Sequence, residues 1–327
     1  MATSWNSGIA KGGSLPPLTL ASAWSQWRLD IPVLVVVLAA AAWYLGAARL
    51  RRSGRPWPWP RTLMFLLGGL GSIVVATMSA LGVYDRTLFW PEAVQNMLLI
   101  GLCPVLLGLG APLRLAAESR RRPGPAPRWL GTAGRVLTFP LVSSLLGLAL
   151  LFWLYLTPYY EATLRSDVLH ELLRVQLLVA GCLFVWPMLG GELLPSWCTH
   201  PVRVAIGLVD GLVDALPGLV VMLTGRVIAR GYYRSVGRTW GPSLHWDQTI
   251  GGGLMLTLAE LVAVPFIGGQ LLSWIRADAV EAAEADRRLD AVAVAQAAAA
   301  GDIGTPELMR PWWETEPGPL GDRYRHT

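Results

Sequence analysis

The sequence predicts an all-α, polytopic membrane protein of seven transmembrane helices, and three observations carry that reading. Residues of the set AVILMFWYC make up 53% of the 327 positions and charged residues only 15%, against roughly 45–50% and about 25% in soluble domains. Apolar runs of the length needed to cross about 30 Å of hydrocarbon, about twenty residues, recur along the chain. Arginines gather in alternate connections between those runs, which is the pattern that sets membrane orientation. The 35 glycines and 24 prolines follow no fixed period, so collagen-like and solenoid folds are excluded. Cys103, Cys182 and Cys198 form no C-x-x-C and so supply neither a disulfide framework nor a closed zinc site.

Taken in order, residues 1–30 read as a loose N-terminal segment, residues 31–275 as the seven-helix transmembrane domain, and residues 276–327 as a cytoplasmic helix extension followed by a mobile tail. The spans fall at 31–50, 62–82, 93–110, 136–156, 169–189, 202–223 and 250–274. The first is longer than the core of a signal peptide and ends in arginines in place of a cleavage site, so it reads as a permanent anchor. Long uniform runs are unlike the alternating ten-residue segments of an outer-membrane barrel. After the last span, the alanine-rich stretch 275–300 is a good helix former, and Gly301, Pro306, Pro311, Pro317 and Gly321 follow it.

Charge placement sets the expected orientation. Arg49, Arg51, Arg52, Arg55 and Arg61 surround the first connection and Arg114, Arg120, Arg121, Arg122, Arg128 and Arg135 the third; Arg203 lies in the fifth, and Arg276, Arg287 and Arg288 follow the last span. The opposite side holds Lys11, Arg28, Arg86, Arg165, Arg226, Arg230, Arg234 and Arg238. The first side carries the excess, which predicts the N-terminus outside and the C-terminus in the cytoplasm. Because the basic residues flank apolar runs and form no separate face, the formal charge of +5 points to the lipid bilayer and away from nucleic acid.

Polar residues concentrate where spans three, five and seven begin: Glu92, Gln95 and Asn96, then His170 and Arg174, then Asp247 and Gln248, with Met255 two turns further along. Glu92 with Asn96 and His170 with Arg174 are each spaced i, i+4 and share a helix face. One reading is a metal station in the outer leaflet, with His170 as principal ligand and Glu92 and Met255 as auxiliaries, since imidazole, carboxylate and thioether all bind copper. The other is helix capping and headgroup contact. Deeper lie the intramembrane carboxylates Asp210, Asp214 and Glu260, which read either as a proton or ion path or as a paired structural cluster with Arg174 as the cation for Asp214. Cys198 and His200 form an isolated C-x-H, Cys103 and Cys182 read as packing, and no G-x-S-x-G, H-E-x-x-H or Gly-rich phosphate loop is present, so no enzyme class is indicated.

The stretch Tyr84–Leu113, YDRTLFWPEAVQNMLLIGLCPVLLGLGAPL, resembles the signature of the CtaG family of cytochrome c oxidase assembly factors. Within it Gln95, Met97, Leu98, Leu99 and the closing Gly110, Ala111, Pro112 and Leu113 match. His170–Pro187 and Trp240–Met255, with Asp247, Gln248 and Met255, are similar to two further family segments. The family's two His-x-x-x-His pairs stand here as Glu92 with Asn96 and His170 with Arg174, so one imidazole of four is kept. The resemblance implies a seven-span protein of the bacterial inner membrane that assists maturation of a haem–copper oxidase, touches its subunits, and takes part in copper delivery at the outer face. The loss of three histidines implies an alternative, a scaffold or accessory subunit of a larger membrane complex that binds no metal.

Overall fold

The structure is a computed structural model that describes residues 15–50, 56–119, 131, 134, 136–190, 194 and 197–299. Residues 1–14 of the expected loose segment, the tail from 300 onward, and Lys11, Arg51, Arg52, Arg55, Arg120, Arg121, Arg122, Arg128 and Arg135 lie outside the described residues.

Among the described residues all regular structure is helical. A short helix α1 (Leu20–Ser25) precedes α2 (Ile31–Leu50), α3 (Trp59–Tyr84) and α4 (Phe89–Leu109). Then come α5 (Pro112–Ser119), α6 (Pro140–Leu156), α7 (Tyr159–Arg165), α8 (Asp167–Gly190), α9 (His200–Leu223), α10 (Arg230–Val236) and α11 (Leu244–Ala299). Six helices, α2, α3, α4, α8, α9 and α11, are long and apolar enough to cross a bilayer. The seventh expected span is α6, of 17 residues, which turns through 74° into α7. The bend falls at Thr157 and Pro158, where Thr157 is extended and the ring of Pro158 disfavours a helical residue before it. The chain divides into two compact units, Met1–Leu271 and Leu272–Thr327. The first contains the bundle; in the second, the described part is helix with largely exposed side chains.

Close helix crossings are made by glycine. A Cβ on Gly181 of α8 would run into the carbonyl oxygen of Ile100 in α4. Pro104, four residues on, has no N–H to offer that carbonyl. The adjoining turn Leu98–Leu102 widens to π-helix, a common consequence of a disrupted hydrogen-bond ladder. Where α9 crosses α11, Gly218 and Gly252 face each other: a Cβ on one would lie 2.7 Å from Leu256 N, and on the other 2.6 Å from Met222 N.

Helix α3 is broken at Ser79, whose ψ of −170° is extended. The break frees carbonyls that an apolar surrounding cannot leave bare. Gln95 Nε2 donates to Ala76 O at 2.7 Å, and the backbone N–H of Arg28 donates to Met78 O at 2.8 Å. The second bond also ties down the chain ahead of α2. Residues 15–30, expected as part of the loose segment, are held further by a reciprocal capping box between Thr19 and Ser22 and by the Tyr84 hydroxyl on Pro16 O at 2.9 Å. Leu15, Leu18 and Ala23 pack on the buried Ala80, Tyr84 and Leu88. Cys103 lies in the main apolar core, as a small thiol does.

Candidate functional site

The starts of α4, α8 and α11 and the ends of α3, α6 and α9 come together at one end of the bundle, where Asp30, Asp85, Glu92, Asn96, His170, Arg174, Asp247 and Gln248 are buried. Its centre is a residue that the sequence reading passed over, Asp85, in the short connection between α3 and α4. Asp85 is 1% exposed. Its Oδ2 accepts from Arg174 Nη2 at 3.0 Å and lies 3.1 Å from His170 Nε2, with Arg28 Nη2 at 3.8 Å. His170 and Arg174 do share one face of α8, as their spacing requires, and both are aimed at Asp85. Arg174 Nη1 also donates to Asp30 Oδ2 at 2.9 Å and to Glu171 Oε1 at 2.7 Å. Burial raises the pKa of Asp85, but His170, Arg174 and Arg28 outweigh it and hold the carboxyl at about 2. The neighbouring Arg86 pairs with Asp167; although burial opposes its charge, that pairing and Asp85 raise its pKa.

A second group gathers around Glu92, which is fully buried. Tyr160 of α7 donates to Glu92 Oε2 at 2.6 Å, and the Tyr160 and Tyr233 hydroxyls are 2.8 Å apart. Asn96, one turn along α4, donates from Nδ2 to the Tyr155 hydroxyl at 3.1 Å. The ring of Phe89 sits among Tyr155, Tyr160 and Tyr233, with centroids 5.5–6.5 Å apart. Burial and the nearby Glu92 raise the pKa of Tyr233 well above the usual phenol value. Without the bend between α6 and α7, Tyr155 and Tyr160 would not converge here.

The third group is a pair of clamps from the start of α11. Asp247 accepts from the N–H groups of Phe89 at 3.1 Å and Trp90 at 3.2 Å, which places a carboxylate at the open N-terminus of α4, and Arg238 donates to it at 3.3 Å. Gln248 accepts from Ile228 N at 2.7 Å and donates to Val221 O and Arg226 O, both at 3.1 Å. It thereby fixes the connection between α9 and α10. Met255 is packed in the apolar core beside the glycine crossing.

The structure thus brings His170, Arg174, Glu92, Asn96, Asp247 and Gln248 to one end of the bundle, but spends each on a protein partner. His170, Glu92 and Met255 do not form a ligand set: they face Asp85, Tyr160 and the apolar core respectively. Among the described residues no three His, Cys, Asp or Glu side chains are grouped to hold a metal ion. The physical reason is Arg174. A guanidinium buried at this position needs carboxylates, it draws Asp85 and Asp30 to itself, and it repels a cation beside His170. Among the described residues His170 Nδ1 and Glu92 Oε1 have no partner, the usual condition of polar atoms bridged by buried water. Among the described residues Cys198 and His200 join no group of three such side chains either.

The deep carboxylates divide. Asp210 and Asp214 line one cavity of about 70 Å³ between α4, α6, α8, α9 and α11, and Glu260 is not among its lining residues. Arg174 is not the counter-ion of Asp214. The first cavity-lining residue of α8 is Ala180, about 9 Å further along the helix at 1.5 Å per residue.

Asp85, Asp30, Arg238 and the tyrosines Tyr155, Tyr160 and Tyr233 were missed because they lie at span ends or in connections. The signal for Asp85 was present: an Arg and a His on one buried helix face require a carboxylate, and Asp85 follows Tyr84 at the same end of the bundle.

Comparison with known proteins agrees with the resemblance. The family model described as cytochrome c oxidase caa3 assembly factor matches residues 41–277. Uncharacterized proteins of Mycobacterium bovis and Mycobacterium tuberculosis are each 31% identical over 300 residues, covering 88% of this chain and 45% of the relative. One from Mycobacterium leprae is 27% identical over the same length. The chain therefore spans about half the length of the curated relatives it matches. No solved structure matches it.

Proposed function

From the premise that this chain belongs to the family of cytochrome c oxidase caa3 assembly factors, we propose that it assists a haem–copper oxidase of the bacterial plasma membrane by protein contact, and does not itself carry copper. The observation that supports this reading is the closure, by ion pairs in one helix and by tyrosine hydroxyls in the other, of the positions where the family places its histidine pairs. His170 is held by Asp85 beside Arg174, and Glu92 and Asn96 by tyrosines. A copper carrier needs an open coordination position and ligands free to exchange. Here the same positions instead fasten three connections into a fixed surface that a partner subunit can read. The arginine asymmetry favours placing this polar end on the extracytoplasmic side. Arg86, Arg165 and Arg238, which lie on the side with fewer basic residues, are paired with Asp167, Glu161 and Asp247.

The test is genetic and analytical together. Cells lacking this chain should lose haem–copper oxidase absorbance and activity from their membranes. Wild-type protein should restore both, and Asp85→Asn, which unfastens the lattice, should restore neither. Oxidase subunits should co-purify with the wild type in mild detergent, and the purified chain should hold no stoichiometric copper. Equimolar copper that disappears in His170→Ala would overturn the contact-only reading, and unchanged oxidase in the deletion strain would overturn the assembly role.

A further inference from the structure

Helix α2 is fastened to the bundle at its two ends and stands off in between. Ahead of its first turn, Asp30 Oδ2 accepts from Arg174 Nη1 at 2.9 Å and the Arg28 N–H donates to Met78 O at 2.8 Å. Toward its other end, Tyr44 stacks on Phe65 with ring centroids 4.1 Å apart and donates to Gly110 O at 2.7 Å, and Trp57 Nε1 donates to the same hydroxyl at 2.9 Å. Of the twenty residues of α2 only Val37, Tyr44 and Ala47 are buried. Between the two attachments lies a cavity of about 500 Å³ with walls from α2, α3, α4, α5 and α8. It is apolar from Trp43 and Phe65 up to the level of Thr77, where Glu171 and Arg174 close it. Those two charges are spent on each other, Arg174 Nη1 donating to Glu171 Oε1 at 2.7 Å.

The end nearer Phe65 adjoins a space of different chemistry. A second cavity, of about 260 Å³, shares Pro112, Leu113 and Trp186 as walls with the first and is lined by Arg61 and Arg114. No Asp or Glu is among its described lining residues. Arg61 lies over the Trp57 ring, 5.4 Å from its centroid, and Arg114 is half exposed, with Glu118 as its partner at 2.9 Å. An apolar slot with two arginines beside one end is complementary to an amphiphile, a hydrocarbon chain that ends in an anion. Size decides which occupant fits. From Pro32 to Trp43 the slot runs about 17 Å along α2 at 1.5 Å per residue. That is close to half of the ~30 Å hydrocarbon core, the depth that one leaflet supplies. A partner's transmembrane helix is about 10–12 Å across, needs the full depth, and would have to part Tyr44 from Phe65. An apolar void of about 150 Å³ can stay empty, but one this much larger forfeits packing along every wall. We propose that the bundle and α2 together hold one anionic phospholipid, with an acyl chain in the apolar slot and its phosphate in the cavity lined by Arg61 and Arg114. The proposal is independent of the oxidase reading, since nothing in its test uses an oxidase.

The experiment uses the full chain, purified and delipidated in mild detergent, then titrated with phosphatidylglycerol or with phosphatidylcholine carrying the same acyl chains. Native mass spectrometry counts retained lipid, and the thermal midpoint reports its effect on the fold. The wild type should retain one phosphatidylglycerol per chain at a concentration at least tenfold below that needed for phosphatidylcholine, with a higher midpoint. The Arg61→Gln/Arg114→Gln double variant should lose most of that preference, because the slot for the chain remains while the anion loses its partners. Ala40→Trp fills the slot from α2 and should abolish retention of both lipids. Gel filtration establishes that each variant is folded, and if Ala40→Trp is not, the arginine variant decides alone. Lack of stoichiometric lipid on the folded wild type, equal retention of the two lipids, or an undiminished preference in the arginine variant would each overturn the proposal. So would lipid retained by folded Ala40→Trp, or a mass of two chains in place of chain plus lipid, which would make a second copy the occupant.

Discussion

Two regions of this bundle bury carboxylates, and they treat them in opposite ways. At the polar end, Asp85, Asp30 and Asp247 have an arginine, a histidine or backbone N–H groups as partners. Among the described residues, the cavity between α4, α6, α8, α9 and α11 that holds Asp210 and Asp214 is otherwise lined by Ser143, Ser144 and apolar side chains. Location explains the difference. A residue at a span end can be met by connecting segments, here 26–30, 85–88 and 224–238, which bring basic side chains and uncommitted backbone. A residue in mid-span sees only the flanks of other helices, whose backbone groups are already used. The first arrangement is a lock that fixes connections; the second leaves two carboxyls without a cationic side chain among the described residues that line their cavity.

The strongest way to break this comparison is to remove the centre of the lock. Asp85→Ala leaves His170 Nε2 and Arg174 Nη2 without their acceptor while Asp30 and Glu171 still hold Arg174 Nη1, so the loss should be about 2–3 kcal/mol, that of unsatisfied buried polar groups. Asp210→Asn should change stability by less than about 1 kcal/mol, since no cationic side chain among the described cavity-lining residues pairs with it. Chemical or thermal unfolding in detergent measures both. Equal losses would show that the two regions are not different in kind.

Next, and of the same order, is Asp247→Ala. It leaves the N–H groups of Phe89 and Trp90 without their acceptor and Arg238 without its carboxylate, a loss of about 2–3 kcal/mol for unsatisfied buried donors. If amide exchange of Phe89 and Trp90 does not speed up in this variant, Asp247 does not cap α4.

Acid provides a measure of the lock without mutation. Asp85 titrates at about 2 in the folded protein, below the usual 3.8. A depressed carboxyl pKa contributes stability that is complete above about pH 4 and is lost as the pH falls from there toward 2. The loss should be about 2 kcal/mol and should be absent in Asp85→Asn. Persistence of the same acid sensitivity in that variant would move its origin elsewhere.

Much of this was legible in the sequence, and the part that was not has a common cause. Span positions follow from the length of apolar runs, and the i, i+4 pairing of His170 with Arg174 and of Glu92 with Asn96 follows from helix geometry. Partners do not. Whether His170 meets a metal or a carboxylate depends on how the connection carrying Asp85 folds back, and local periodicity is silent on that. The same holds for Tyr160, which reaches Glu92 only because α6 turns into α7. Gln95 was read as a family match; its amide in fact satisfies a carbonyl freed by the break at Ser79, a break that no proline or glycine marks at that position. Depth was the other weak point. Arg174 was matched to Asp214 by counting along separate helices, and an error of one or two turns was enough to pair residues that belong to different regions.

Glu92 tests where the boundary between the two regions lies. It is buried as deeply as Asp85 but makes no ion pair among the described residues; its partner is the Tyr160 hydroxyl. Glutamine at this position keeps the length, the volume and one oxygen able to accept from Tyr160. Its added N–H₂ takes the place of Oε1, which has no partner among the described residues, so the substitution exchanges one unmet polar atom for another. Glu92→Gln should therefore shift stability by less than about 1 kcal/mol, whereas Tyr160→Phe, which removes the donor and leaves the carboxyl alone, should cost about 1–3 kcal/mol. A loss of several kcal/mol in Glu92→Gln would place Glu92 with the charged lock around Asp85, and the tyrosine cluster would then be an extension of it instead of a neutral border.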